Sequence, residues 1–183
     1  LKCHYATVAS ALEGFFFQEL SHGLKDKKCE HCQSSQWSRS HRSIANLPKT
    51  LWLQIERWNY VDDPKTPWEL RDSEMQLDQN LEVVSKKWEL RDSEMQLDQN
   101  LEVASKNFVL HGIIYHTGSS PDSGHYVAVA RHGVSEEPFF LYNDESRQKI
   151  SKMSLTSNAS LDDREPSVIF SPTALLYEQV VNA

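Results

Sequence analysis

A histidine and an asparagine are the residues of this chain best suited to chemistry. His125 follows Gly124 directly and opens an alternating apolar run, and Asn143 with Asp144 ends the next apolar run along the chain. An Asn or Asp that bonds one ring nitrogen of a histidine fixes its tautomer and leaves the other nitrogen able to take a proton. His125 and Asn143 therefore predict the base and the orienting residue of a nucleophilic triad.

Two neighbouring antiparallel strands are needed to bring these residues together. Tyr126–Arg131 and Phe139–Tyr142 are both typical of buried strands, and a short polar segment separates them. Antiparallel pairing places the start of the first strand beside the end of the second, so His125 would meet Asn143. Gly118 and the glycine before His125 bracket a turn that can bend tightly and approach a bound chain.

Apolar spacing predicts a helix near the start of the chain and strands over much of the rest. Thr7–Leu20 has apolar residues at helical spacing behind a Thr or Ser cap, and residues 25–42 are polar and cysteine-bearing, as in a projecting hairpin. The predicted strands are Leu51–Ile55, Phe108–Tyr115, Tyr126–Arg131, Phe139–Tyr142 and Ala174–Tyr177, and Lys149–Ser167 is predicted to be a surface loop. One or two helices followed by an antiparallel meander make the predicted fold class α+β.

A tandem duplication interrupts this pattern. Trp68–Lys86 recurs twenty residues later as Trp88–Lys106 with a single difference, Val84 against Ala104. Two copies are fewer than the three that a repeat architecture needs to bury a core. Near-identity also argues against two different packing roles, so we interpret the repeat as a recent duplication, or an artefact of the gene model, within one domain. Its alternating apolar residues suit short strands, while its Glu, Gln and Leu content also tolerates a helix.

Composition bounds the kind of partner. The 183 residues are 25% charged and 39% hydrophobic, with a net charge of −7. These values are typical of a globular domain and give nucleic-acid binding no electrostatic support. No apolar run approaches the roughly 20 residues of a membrane helix, and the first residues do not have the pattern of a signal peptide. We therefore expect neither a nucleic acid nor a membrane as partner.

Three cysteines, Cys3, Cys29 and Cys32, are too few and odd in number for a disulfide framework. They favour a reducing compartment, so we expect an intracellular location in the cytoplasm, the nucleus or both. The first residue is Leu rather than Met, and we expect the chain to begin inside a longer protein or to follow processing.

Several blocks of the chain resemble the ubiquitin-specific proteases, which are papain-like cysteine peptidases that remove ubiquitin from its conjugates. Ser123–Ala128 and Phe139–Asp144 are similar to the histidine box of that family. Further similar blocks are Leu12–Phe16 with Lys28–Cys32 at the entry to a zinc finger, Ile44–Trp58 at a signature strand, Asn107–Gly118 before the histidine loop and Ala174–Glu178 at the closing strand. The blocks follow the family's order and span nearly the whole chain.

The resemblance implies a role for each residue of the histidine box. His125 would be the general base, Asn143 would orient it, and Asp144 would be a neighbouring helper. The loop that would lie over the ubiquitin tail contains Ser123, Gly124 and Tyr126. Ubiquitin and ubiquitinated proteins would be the partners.

The same resemblance implies the domain organisation. The fold would be a papain-like peptidase fragment, an antiparallel sheet with an N-terminal helix and a partial finger hairpin. Residues 1–183 would form one partial catalytic domain. Within it, 22–60 would be a finger and palm segment, 68–106 the duplication and 107–183 the palm segment with the histidine box.

One part of the family pattern is missing. The family's nucleophile lies in a cysteine box far upstream of the finger, and Cys3 does not have the flanking residues of that box. We therefore predict the C-terminal half of a deubiquitinase catalytic domain that is inactive by itself. The alternative is a non-catalytic ubiquitin-binding scaffold that kept the fold. A small zinc-dependent interaction module would explain the cysteine pair but not His125 and Asn143.

Cys29 and Cys32 form a pair at metal-ligand spacing. One such pair is weak evidence for a metal site, whereas two would be strong. The resemblance adds a reason to expect a structural zinc, because many of these proteases carry a four-cysteine finger. Residues that could complete a site are Cys3, His4, His22 and His31, and two thiols without metal are the alternative. Catalysis itself is expected to require no cofactor.

Overall fold

A computed structural model describes the helix, the strands and part of the segments that join them. The described residues are 1, 5–17, 28, 30–33, 44, 46–62, 65, 67–71, 75–91, 94–132, 138–150, 161 and 169–181. Most of the hairpin predicted over 25–42 and of the loop predicted over 149–167 lies outside these residues. The described elements are α1 (Val8–Phe17), β1 (Thr50–Gln54), β2 (Trp58–Tyr60), β3 (Trp68–Leu70), β4 (Asn80–Arg91), β5 (Glu94–Ser120), β6 (Ser123–Arg131), β7 (Phe139–Asn143), β8 (Ser146–Lys149) and β9 (Ser171–Gln179).

Among the described residues, seven strands form one antiparallel sheet in the order β1-β9-β5-β6-β7-β8, with β4 also paired to β5. The predicted meander is confirmed from β5 to β7. It is wrong for β9, which returns to the middle of the sheet between β1 and β5. The reason is burial, because Leu175 and Tyr177 of β9 are fully buried there and an edge position would expose one flank of them.

The predicted N-terminal helix is confirmed from Val8 to Phe17, and 18–20 lie outside the described residues. Thr7 is its cap: Thr7 Oγ1 accepts from the Ser10 N–H at 3.1 Å, and Ser10 Oγ accepts from the Thr7 N–H at 3.1 Å. Asp78 Oδ2 accepts from the Ala9 N–H at 2.9 Å. These bonds satisfy N–H groups that have no partner inside the first turn of a helix.

The duplicated segments are extended rather than helical. The first copy contributes β3 and the start of β4, and the second contributes the end of β4 and the start of β5. Along this hairpin Leu81 is opposite Phe108 and Val83 is opposite Lys106, while farther out Trp88 is opposite Leu97. Strand pairing along a shared edge therefore decides between the two secondary structures that the local sequence leaves open.

One hydrophobic core joins the helix to the sheet. Val8, Ala11 and Leu12 of α1 are buried together with Phe108 and Tyr177 of the sheet. The Tyr177 hydroxyl donates to the Asp78 carbonyl at 2.7 Å, so this deep phenol has a partner. This packing fixes β5 and β9 against α1.

A separate two-stranded sheet, β2 and β3, lies beside the main one. Trp58 pairs with Leu70 and Tyr60 pairs with Trp68. The buried Arg57 just before β2 donates from Nε to the Pro172 carbonyl at 3.2 Å, which ties this small sheet to β9.

Candidate active site

The antiparallel pairing of β6 and β7 brings His125 to Asn143. Ala128 lies opposite Tyr142, and the same register continued by one residue would place Val127 opposite Asn143. Side chains alternate along a strand, so His125 and Val127 lie on the same face as Asn143. The His125 Nε2 atom lies 2.6 Å from Asn143 Oδ1. The two residues that the sequence predicts as base and orienter are therefore in direct contact.

This contact determines which ring nitrogen can act as a base. An amide oxygen only accepts hydrogen bonds, so Nε2 of His125 carries the proton and donates it to Asn143. In the neutral ring, Nδ1 then holds the lone pair. Both side chains are partly exposed. The pair can hold an imidazole in one tautomer and stabilise the cation that forms when it takes a proton.

The turn before His125 is narrow because two glycines face each other across it. Thr117 pairs with His125 and Ser120 pairs with Ser123, with an irregularity between the two pairs. Gly124 has a φ of +143°, and a Cβ built there would lie 2.2 Å from the Thr117 carbonyl oxygen. A Cβ on Gly118 would lie 2.3 Å from the Ser123 carbonyl oxygen. Only glycine fits at both positions. The two glycines therefore determine the path of the backbone that leads into His125 and β6.

Ser123, Gly124 and Tyr126 of the predicted tail loop all lie at this turn and are exposed. Tyr126 is 51% exposed and follows His125 by one residue, so it projects from the opposite face of β6. Its hydroxyl donates to the Pro121 carbonyl at 3.3 Å and braces the turn. Pairing of β5 and β6 brings the three residues together, and their part in binding a tail stays a prediction.

His116 is a residue of this site to which the sequence analysis gave no role. It lies opposite Tyr126 and is only 3% exposed. Its ring centroid is 4.4 Å from that of Tyr126 and 6.2 Å from that of Trp58. A Cβ on Gly124 would lie 2.5 Å from His116 Nε2, so the imidazole packs directly beneath the turn. In the sequence, its position two residues before Gly118 is the feature that could have identified it as part of the site.

Burial lowers the pKa of His116, and a hydrogen bond with the Ser123 backbone opposes this effect more weakly. The folded protein therefore binds a proton at His116 less readily than the unfolded chain, whose histidine titrates near its ordinary value of 6.5. Stability from this group is fully present above that value. It is lost as the pH falls below it, until the folded form is protonated as well.

We expect this titration to be visible in urea unfolding. The midpoint of the wild-type chain should fall between about pH 7.5 and about pH 5.5, and His116→Gln should show a smaller fall because glutamine does not titrate in this range. His132→Gln is the matched control, since His132 is exposed. An equal pH dependence in the wild type and His116→Gln would contradict the assignment.

Asp144 lies in the turn that joins β7 to β8. Asn143 pairs with Ser146, so Asp144 and Glu145 are the two turn residues. Asp144 has a φ of +48°, in the left-handed region that Asp and Asn tolerate in such turns. Its side chain is exposed, and it is Asn143, through Oδ1, that accepts the hydrogen bond of the His125 ring. Asp144 therefore shapes the turn that presents Asn143, and its role as a helper of the base stays a prediction.

The cysteine-based predictions fall mostly outside the described part of the chain. Cys32 is exposed, whereas Cys3 and Cys29 lie outside the described residues. Within the described ranges, no group of three or more His, Cys, Asp or Glu side chains could hold a metal ion. The zinc site at Cys29 and Cys32 is thus not tested by the residues that the structure describes. In the same ranges, no helix is long and apolar enough to cross a membrane.

Comparison with known sequences gives a consistent family. The sequence model of the family described as ubiquitin carboxyl-terminal hydrolase matches residues 2–176. Ubiquitin carboxyl-terminal hydrolase 25 of Arabidopsis thaliana is 26% identical over 126 residues, 69% of this chain. Ubiquitin carboxyl-terminal hydrolase 9 of Saccharomyces cerevisiae is 23% identical over 143 residues, 78% of this chain. The chain spans 17% of the length of each relative.

Solved structures give the same fold. The SAGA DUB module containing Ubp8, Sgf11, Sus1 and Sgf73 and bound to monoubiquitin matches 100% of this chain and 35% of its own chain, with a TM-score of 0.62 and 20% identity. The same module bound to ubiquitin aldehyde matches 97% of this chain and 34% of its own, with a TM-score of 0.62 and 22% identity. The chain therefore corresponds to about a third of those folded chains.

Proposed function

Because the chain belongs to the ubiquitin carboxyl-terminal hydrolase family, we propose that it supplies the base and its orienting residue to a thiol protease that releases ubiquitin from protein conjugates. The observation that carries this proposal is the 2.6 Å contact between His125 Nε2 and Asn143 Oδ1. Ring orientation of this kind serves a proton transfer and adds little to binding alone. It therefore favours an enzyme over a non-catalytic ubiquitin-binding scaffold.

The chemistry assigns one task to each residue. Nδ1 of His125 takes the proton of a cysteine thiol, and the resulting thiolate attacks the carbonyl carbon of the bond at the ubiquitin C-terminus. The imidazolium then gives that proton to the leaving amine, and an acyl-enzyme forms. Water, activated by the same nitrogen, hydrolyses the acyl-enzyme and releases ubiquitin. Asn143 holds the ring in one tautomer throughout.

The turn between β5 and β6 is the proposed approach for the ubiquitin tail. Ser123 and Gly124 are exposed there. Tyr126 offers an exposed aromatic face next to them. An extended tail lying over this turn would deliver its last carbonyl close to His125. The proposed place of action is the cytoplasm, the nucleus or both.

The nucleophile is proposed to come from a part of the protein upstream of this chain. In the solved structures that share the fold, the matched region is about a third of the folded chain. A papain-like site takes its cysteine and its histidine from different parts of the sequence. Residues 1–183 would thus form the part of the catalytic domain that carries the histidine.

Turnover of a ubiquitin–fluorophore conjugate tests this proposal directly. The 183-residue chain alone should show none, because it holds the base without the nucleophile box. A longer chain that joins these residues to an upstream cysteine should hydrolyse the conjugate, and iodoacetamide should inhibit it. Turnover by the 183-residue chain that disappears with Cys3→Ala would instead make Cys3 the nucleophile. Absence of turnover in the longer chain would overturn the enzyme proposal and favour the scaffold.

A further inference from the structure

The two copies of the duplicated segment have different places in the fold. Copy 1, Trp68–Lys86, runs through the core, and copy 2, Trp88–Lys106, forms most of the outer hairpin of β4 and β5. The apolar residues of copy 1 that the core buries to 4% exposure or less are Met75, Leu77, Leu81 and Val83. Copy 1 is therefore docked by burial, whereas the strands of copy 2 pair with each other.

Four hydrogen bonds to the N-terminal segment, β5 and β9 add to the docking of copy 1. They are Gln76 N to Ala6 O at 2.8 Å, Ala9 N to Asp78 Oδ2 at 2.9 Å, Tyr177 Oη to Asp78 O at 2.7 Å and Leu110 N to Gln79 O at 2.9 Å. On the side of copy 1, these four bonds use only backbone groups and the Asp78 carboxylate.

Copy 2 has the same residue at every one of these docking positions. The apolar counterparts are Met95, Leu97, Leu101 and Val103, and the polar ones are Gln96, Asp98 and Gln99. The copies differ only at Val84 and Ala104, and neither is one of the docking positions named above. The side chains at these positions therefore do not favour docking of one copy over the other.

The strand register also allows the exchange. In the structure Leu81 lies opposite Phe108 and Val83 lies opposite Lys106. If copy 2 docked, Leu101 would take the place of Leu81 and Val103 would take that of Val83. Two residues, Ala104 and Ser105, would then join Val103 to Lys106, which is the commonest length of a hairpin loop.

Lys106 has the same position whichever copy is docked. Its Nζ donates to the Leu47 carbonyl at 2.7 Å and to Gln179 Oε1 at 3.1 Å. Lys106 ends copy 2 and pairs with copy 1 in the structure, and it keeps the same position when copy 2 docks. The rest of β5, including Phe108, would not need to move.

We propose that copy 1 and copy 2 exchange in the core, with copy 1 docked in the major state. Docking of copy 2 would lengthen the connection between Tyr60 and the paired Trp from seven residues, 61–67, to 27 residues, 61–87. Closing this longer connection is about eightfold less favourable. The connection that leads to Lys106 shortens from 22 residues, 84–105, to two, which offsets this cost. The strand pairing of the outer hairpin is present only in the major state and favours it, although two strands alone are marginal in water. A single substitution that destabilises docking of copy 1 can therefore make the minor state the more populated one.

The exchange changes where the undocked copy lies relative to the candidate active site. In the major state the undocked copy is copy 2, and it extends from the end of β5 that is remote from Thr117 and His125. In the minor state the undocked copy would extend from the β2–β3 hairpin, whose Trp58 has its ring centroid 6.2 Å from that of His116. The duplication would thus place a segment of the same sequence at either end of the sheet.

Matched substitutions in the two copies test the exchange. Met75→Asp puts a carboxylate into the core position of copy 1, and Met95→Asp makes the same change in copy 2. We expect Met75→Asp to keep one cooperative urea transition at a moderately lower midpoint, because copy 2 docks in its place. Met95→Asp should leave the midpoint unchanged, and the double variant should lose the transition. Loss of the transition in Met75→Asp alone would overturn the proposal.

Amide hydrogen exchange gives a second readout that stability alone does not. In Met75→Asp, amides of residues 76–83 should exchange at least about tenfold faster than in the wild type, and those of 96–103 about tenfold slower. Unchanged protection of both segments in a folded Met75→Asp variant would overturn the proposal.

Two deletions serve as controls for docking by a single copy. Removal of 68–87 leaves copy 2, and removal of 87–106 leaves copy 1, so that the products differ only by Ala or Val at one position. Both should unfold cooperatively at similar midpoints. Cooperative unfolding of the second product alone would show that copy 2 cannot dock and would overturn the proposal.

Discussion

Replacing His125 with alanine is expected to reduce turnover of ubiquitin conjugates on the order of 10⁶-fold in the proposed longer enzyme. In the proposed mechanism the imidazole both accepts the thiol proton and returns it to the leaving amine, so its loss removes the base and the acid together. Ubiquitin affinity should change little, because the ring acts in the chemical step. The measurement is kcat with a ubiquitin–fluorophore substrate, alongside the Kd for ubiquitin.

Asn143→Ala separates orientation from proton transfer. Removal of the amide leaves His125 in place but without the 2.6 Å contact that fixes its ring. Loss of an orienting residue in a comparable triad costs on the order of 10⁴-fold, so we expect an effect about a hundredfold smaller than that of His125→Ala. Asn143→Asp should restore most of the turnover, since a carboxylate also accepts from Nε2.

The outcome that would contradict the first prediction is a His125→Ala enzyme with near-wild-type kcat. That result would remove the triad assignment, and membership of the family would then be evidence for the fold alone.

The local chemistry of the site could be predicted from sequence because strands β6 and β7 are short, adjacent and joined by few residues. Alternation fixes the face of each side chain, and antiparallel pairing fixes which ends meet, so His125 and Asn143 follow from spacing alone. The same logic did not single out His116. One of the rings that contact it belongs to Trp58, which is far away in sequence and lies in the separate β2–β3 sheet.

Long-range pairing also limits what the sequence predicts about the sheet. The apolar pattern of β9 identifies a strand but not its neighbours, and only the folded chain shows it between β1 and β5. The polar strand β8 has all four residues exposed, so hydrophobic periodicity gives no signal for it. In the duplication, the two nearly identical copies take different positions in the sheet, and no local rule can assign them.

Gly124→Ala should produce the second large effect, because the backbone around the site leaves no room for a methyl group. A Cβ at Gly124 would lie 2.2 Å from the Thr117 carbonyl oxygen and 2.5 Å from His116 Nε2. Its φ of +143° also lies in a region that residues with a Cβ rarely adopt. The chain would have to shift next to His125, at a cost of about 2 kcal/mol or more in unfolding free energy. In the longer enzyme, the same shift should lower kcat, because His125 follows Gly124 directly.

Gly112→Ala is the matched control for this prediction. Gly112 lies in the same strand pair as Gly124, but a Cβ there would meet its nearest atom, the Val129 carbonyl oxygen, at 3.4 Å, which is ordinary contact. We expect a change in unfolding free energy within about 1 kcal/mol and an unchanged kcat. Urea unfolding and turnover of both variants decide the matter. Equal effects of the two substitutions would show that sheet packing in general, rather than the narrow turn before His125, limits the site.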